Sequence, residues 1–204
     1  MLKQFVAKWG EADPKTESSV FFVRGDPGYT PWKLFNRAAS PGIWADGFLQ
    51  IATPDLPEIN DALAAWEFAI GPDNGTRQVF LRNGYGDIVY TQVEKNLAVA
   101  KVLSPRLTKV YDPDLRPDVR ATLSFFILGP TDRIPGRPAT HPFLDRDVFD
   151  AWVAEHGRFS MNETLVPKLP YTLGGKHEPD NFYVSDLASF YRDTGEIWAK
   201  HFAK

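Results

Sequence analysis

The chain has 204 residues, 43% hydrophobic and 24% charged, which suits one large domain or two small ones sharing a core and excludes disorder over most of its length. A net charge of −3 and a pI of about 5.8 lack the basic excess of a nucleic-acid-binding domain; such a surface suits a basic partner, or simply aids solubility. The absence of cysteine excludes disulfides, thiol catalysis and thiolate metal sites.

Leu2, Phe5, Val6 and Trp9 recur at helical spacing, and Gly10 ends that run. The opening Met1–Phe5 lacks the regions of a signal peptide, and no apolar run approaches a membrane span. A cytoplasmic protein without membrane contact is therefore expected. Val20–Val23 reads as a strand, and the Gly- and Pro-rich stretch 25–31 as a loop. Ile43–Trp44 with Phe48–Ile51 predicts short strand structure. Thr53 or Asp55 can cap a helix whose apolar face is Ile59, Leu63, Trp66 and Ile70, ending at Gly71-Pro72. Strands over 78–82 and 87–92 flank Asn83-Gly84-Tyr85-Gly86, a hairpin signal, and a third strand follows over 97–103.

Residues 104–119 hold Pro105, Pro113 and Pro117 with Asp112, Asp114 and Asp118, and read as a linker or the approach to a small helix. Ala121–Leu128 reads as a strand and 131–142, with its prolines, as irregular. A helix over 146–156 buries Phe149, Trp152 and Val153 and stops at Gly157; Asp145 and Asp147 sit where capping and the helix dipole explain them. An apolar extended segment then leads to Leu173-Gly174-Gly175. Those two glycines read as structural: at least one is expected to have positive φ or to lie against another backbone. The last helix, 185–202, is capped by Ser185 or Asp186. Leu187, Phe190, Tyr191, Ile197, Trp198 and Phe202 line one face, for which the middle strands are the expected partner. With strands clustered in the middle, the fold class is α+β, a mostly antiparallel central sheet with flanking helices in a single compact unit.

Motifs of known chemistry are missing. His141, His156, His177 and His201 are not spaced as paired helical metal ligands, and His177-Glu178 with Asp180 reads as a polar loop rather than a metal site. Gly-x-Ser-x-Gly is absent, and Gly174-Gly175-Lys176 has neither the length nor the hydroxyl residue of a phosphate loop. No cofactor and no metal are expected, and no catalytic residue is assigned.

Certain residues carry a family pattern. Phe5, Lys8-Trp9-Gly10, Pro31, Ala65-Trp66 and Asn83-Gly84-Tyr85-Gly86-Asp87-Ile88 resemble a GAD-like domain over 1–103. Gly157, Phe159, Asn162-Glu163, Pro167 and Leu173-Gly174-Gly175, with the closing helix, resemble over 104–204 the C-terminal domain of immunity proteins that accompany type VI secretion DNase toxins. The resemblance implies a non-enzymatic protein that binds a secreted nuclease and blocks it in the producing cell. Two other classes stay open: a ligand-binding or regulatory module of a mobile element, and an enzyme acting at the Gly174–Asn181 loop. Loops carry recognition more often than core elements do, so the candidate partner-binding residues are Asp112, Asp114 and Asp118, and Lys176, His177, Glu178, Asp180 and Asn181. Gly84, Gly86, Gly157, Gly174 and Gly175 are candidates for structural roles.

Overall fold

Alternation along the central strands gives this protein two cores, one on each face of a sheet. A computed structural model describes residues 2–13, 15, 41–51, 53, 56–94, 97–107, 109–111 and 146–203. The expected strands 20–23 and 121–128, the loops 25–31 and 131–142, and Asp112, Asp114, Asp118, His141 and Asp145 lie outside them. Among the described residues six strands form one antiparallel sheet in sequential order: β1 (Gly42–Trp44), β2 (Leu49–Ile51), β3 (Gln78–Asn83), β4 (Ile88–Glu94), β5 (Leu97–Ser104) and β6 (Lys109–Tyr111). On β4 and β5, Val89 and Val102 enter one core while Ile88, Tyr90 and Leu103 enter the other, the period-two consequence of a sheet covered on both faces.

The first core takes Phe5 and Trp9 of helix α1 (Leu2–Trp9), Trp44 and Phe48, and then Phe149 and Trp152 of a later helix. The second is roofed by α2 (Leu56–Ala62), a 3-10 turn (Leu63–Trp66) and α3 (Glu67–Ile70), which bury Ile59, Leu63, Trp66 and Ile70 as their spacing predicts. Thr53 does not cap this segment: only its carbonyl is used, accepting from Leu56 N–H at 3.2 Å, while its buried hydroxyl has no partner.

Beyond residue 145 come α4 (Asp147–His156), β7 (Glu163–Pro167), β8 (Phe182–Asp186) and α5 (Leu187–Phe202), with β7 and β8 forming a second antiparallel pair. β8 follows the loop immediately and was not legible as a separate strand. Arg146 is the N-cap of α4 and makes no side-chain cap, so Asp147 serves the helix dipole in the first turn rather than capping; Arg146 pairs with Asp150 one turn on, at 2.7 Å. Asp186 caps α5, its carboxylate accepting from Ser189 N–H at 2.8 Å.

The sequence misplaces the cover of α5. Its main neighbour is the 56–70 helical segment rather than the strands. Gly195 lies at the crossing, where a Cβ would come within 2.7 Å of the Ala65 carbonyl oxygen, and Trp66 Nε1 donates to the Tyr191 carbonyl at 2.9 Å. Ile197 lies two positions from Gly195, so it turns to the side of α5 away from that crossing, and Phe202 reaches only the half-open Phe68 ring. Ile197 and Phe202, expected inside, are 63% and 61% exposed. The expected sub-domains 1–103 and 104–204 meet inside β5, and each core draws residues from both.

Candidate interaction surface

The hairpin tip is where the C-terminal third docks. Asn83 turns its side chain back on the loop, its Oδ1 accepting from the N–H groups of Tyr85 and Asp87 at 3.1 and 2.9 Å, a local turn that asparagine favours. The Gly84 carbonyl accepts from Leu165 N–H at 2.8 Å and Thr164 Oγ1 at 3.0 Å. Tyr85 Oη accepts from Phe149 N–H at 2.8 Å, and Tyr191 Oη donates to the Gly86 carbonyl at 2.5 Å. A Cβ on Gly84 would lie 2.1 Å from the Phe149 ring, and Gly86 has φ +74, so both glycines are structural.

The same tip holds a sealed ion pair. Asp87 accepts from Ser104 Oγ at 2.5 Å, from Asn83 Nδ2 at 3.1 Å and from Arg106 NH2 at 2.7 Å. The Arg106 guanidinium also lies over the Tyr85 ring, 4.3 Å from its centroid. Burial works against the charge of Arg106, but the carboxylate beside it outweighs that and raises its pKa above the usual arginine value. Burial, then the Asp87 charge, pushes the Tyr191 phenol well above the usual tyrosine range. A carboxylate this saturated with donors and closed to solvent holds the fold; it has no lone pair left to offer a substrate proton.

The loop 168–181 is closed on itself. Asn181 Oδ1 accepts from Leu169 N–H at 3.0 Å, and its Nδ2 donates to the carbonyls of Leu169 and Lys176 at 3.0 and 2.9 Å. Gly174 is left-handed at φ +94, and a Cβ on Gly175 would overlap the Leu169 carbonyl, so both glycines do what their sequence position implies. His177 is half-buried, its Nδ1 2.6 Å from Tyr171 Oη and its ring 5.4 Å from that of Tyr85. Lys176 faces Glu178 at 3.8 Å, and Lys168 Nζ donates to the Asp180 carbonyl at 2.9 Å. Of the loop candidates, then, Asn181 and His177 serve the loop itself. Lys176, Glu178 and Asp180 stay on the surface beside Leu173, which is 71% exposed. Gly157, at φ +92, ends α4 with its N–H on the Val153 carbonyl at 2.8 Å.

A second surface lies on the outer side of the α2–α5 layer. Buried Trp66 stacks on Phe68 with centroids 5.7 Å apart, Phe68 stacks on Phe202 at 5.7 Å, and Phe202 meets Trp198 at 5.9 Å. Phe68 is 41% and Phe202 61% exposed, so this stack forms an apolar strip in open solvent. Trp66 fixes its inner end, so the exposed rings are held in place before any partner arrives.

No family model matches the sequence, and none of the curated proteins does. Among solved structures the chain is similar to the crystal structure of Atu4351 from Agrobacterium tumefaciens. The two are 17% identical, the match covers 96% of this chain and 89% of that one, and the TM-score is 0.58. The likeness shows the fold. That fold extends over both halves of the chain, in keeping with one compact α+β unit.

Among the described residues no three His, Asp or Glu side chains are grouped as metal ligands would be, and no helix is long and apolar enough to cross a membrane. The strip was missed in the sequence because Phe68 lies off the periodic face of its helix, while Phe202 belongs to an apolar face that looks fully buried.

Proposed function

We propose that this chain is a cytoplasmic immunity protein that binds and neutralises a cognate secreted nuclease, a DNase toxin of a type VI secretion system, by stoichiometric association rather than turnover. The observation that carries this reading is the strip Phe68–Phe202, solvent-exposed yet anchored on buried Trp66. Exposed, pre-ordered aromatics are what binding hot spots are made of, since they contribute large contact area without losing much side-chain freedom on association. The sealed Asp87–Arg106 pair supports the same reading, because the best-ordered charged cluster among the described residues is committed to the fold. The family resemblance of the hairpin and of the 157–175 segment supplies the class of partner.

Protection of a producer from its own nuclease requires that almost none be free, so a dissociation constant of about a nanomolar or tighter, near −12 kcal/mol, is expected. The test is growth of cells expressing the neighbouring toxin, with and without this chain. Rescue is the expected outcome. Equal killing in both arms, with both proteins present, overturns the reading and favours a ligand-binding module.

A further inference from the structure

We infer that Asn74-Gly75, in the turn between α3 and β3, is a covalent modification site: the folded chain converts the Asn74 amide to a carboxylate, with its own backbone and water as the reactants. The chain holds two Asn-Gly steps, Asn74-Gly75 and Asn83-Gly84, and the structure treats them differently. At the first, Asn74 Oδ1 accepts from Thr76 N–H at 3.2 Å and from Thr76 Oγ1 at 2.5 Å. A bond to the N–H two residues on folds the side-chain amide back over the intervening peptide, whose nitrogen belongs to Gly75. The Gly75 N–H donates to Asp73 Oδ1 at 2.9 Å. Residues 72–76 are exposed, and Gly75, at φ +79, has open space where a Cβ would lie.

These groups suit an intramolecular acyl transfer. The Gly75 nitrogen attacks Asn74 Cγ while Asp73 accepts its proton. The N–Cγ bond forms, the Cγ–Nδ2 bond breaks, and ammonia leaves carrying that proton. The Thr76 donors stabilise the charge that develops on Oδ1, and glycine leaves the attacking nitrogen unhindered. Water then opens the cyclic imide at either carbonyl, giving aspartate or isoaspartate at position 74. Water is consumed, ammonia is released and nothing is oxidised. The new carboxylate stands beside Asp73, which also accepts from Arg77 N–H at 3.2 Å where the chain enters β3.

Asn83 folds back in the same way, its Oδ1 accepting from Tyr85 N–H, but it is fully buried and its Nδ2 is held by Asp87. Gly84 lies against the Phe149 ring, and its carbonyl is held by Leu165 and Thr164. Reaction there must wait for the C-terminal third to come away from the hairpin tip.

The test incubates the full chain at neutral pH, folded and in denaturant, and follows both sites by peptide mass mapping and isoaspartate-directed methylation. In the folded chain Asn74 is expected to convert within about tenfold of its rate in denaturant, and Asn83 to be slowed by about a hundredfold or more. Gly75→Ala, checked for a retained cooperative melt, is expected to suppress conversion at position 74. Asp73→Ala combined with Thr76→Val is expected to slow it several-fold. Folding that slows Asn74 by more than about tenfold, or as much as it slows Asn83, overturns the assignment. An unchanged rate in the double variant overturns the part given to Asp73 and Thr76.

Discussion

The hairpin tip and the outer face of the α2–α5 layer both carry carboxylates, in opposite surroundings. At the tip Asp87 is enclosed by Ser104, Asn83 and Arg106, and the backbone around it is tied to β7, α4 and α5. On the layer Glu58, Asp61, Asp193 and Glu196 stand in water with no ion-pair partner among the described residues. A buried charge that loses its partner costs several kcal/mol, whereas an exposed unpaired one contributes almost nothing to the fold. The fold therefore rests on the sealed charge, and the exposed ones can be altered without disturbing it.

The sharpest break in that comparison is at the tip. Asp87→Ala takes the carboxylate away from the buried Arg106 guanidinium, so a loss of about 3–5 kcal/mol is expected in denaturant unfolding. A loss below about 1 kcal/mol would mean that the pair is solvated in solution. Next come the close approaches that hold each region in place. Gly195→Ala forces apart the crossing beneath the aromatic strip, and Gly175→Ala the stapled loop; overpacking of this kind costs roughly 1–3 kcal/mol.

The N-cap of α5 gives a smaller effect with a pH signature. Hydrogen bonds from the Ser189 hydroxyl and N–H hold Asp186 below the usual aspartate range. A depressed folded-state pKa contributes stability that is fully present above the unfolded value of about 4 and is lost as pH falls through the folded one. Asp186→Ala should cost about 1 kcal/mol at neutral pH. Asp186→Asn keeps a capping oxygen, so it should stay near the parent at pH 7 and melt with a shallower acid dependence below about pH 4. An unchanged acid slope would show that the cap is not formed in solution. The smallest effects belong to the outer face, where Glu58→Gln, Asp61→Asn and Glu196→Gln should each shift stability by less than about 0.5 kcal/mol. A larger shift would show that these carboxylates hold the fold after all.

Periodicity made much of the frame legible. Phe5 with Trp9, and Ile59 with Leu63, Trp66 and Ile70, marked their helices because one face of each is buried against a flat sheet. Asn83-Gly84 marked the hairpin. What the sequence hid was non-local. The partner of Asp87 lies 19 residues on, in a proline-rich stretch that reads as linker and supplies β6 at the sheet edge. β8 was hidden because Phe182–Val184 is too short to show alternation before α5 begins. The exposure of Ile197 and Phe202 was hidden because burial depends on which side of α5 a distant segment covers, which no local pattern encodes. The stapled loop was half legible: Gly174-Gly175 announced close backbone approach, but that Asn181 closes the loop depends on where its amide points.

The Trp66–Tyr191 hydrogen bond has a consequence for timing. It joins groups 125 residues apart, and the Thr164–Gly84 bond joins groups 80 apart. At a synthesis rate of about 5–20 residues per second, roughly 6–25 seconds pass between the emergence of Trp66 and of its acceptor. Through that interval Ile59, Leu63, Trp66 and Ile70 lack their α5 partner, because the helix that packs against them is made well after them. Folding of such long-range contacts is slow, and the nascent chain stays open to chaperones and proteases until α5 closes over it.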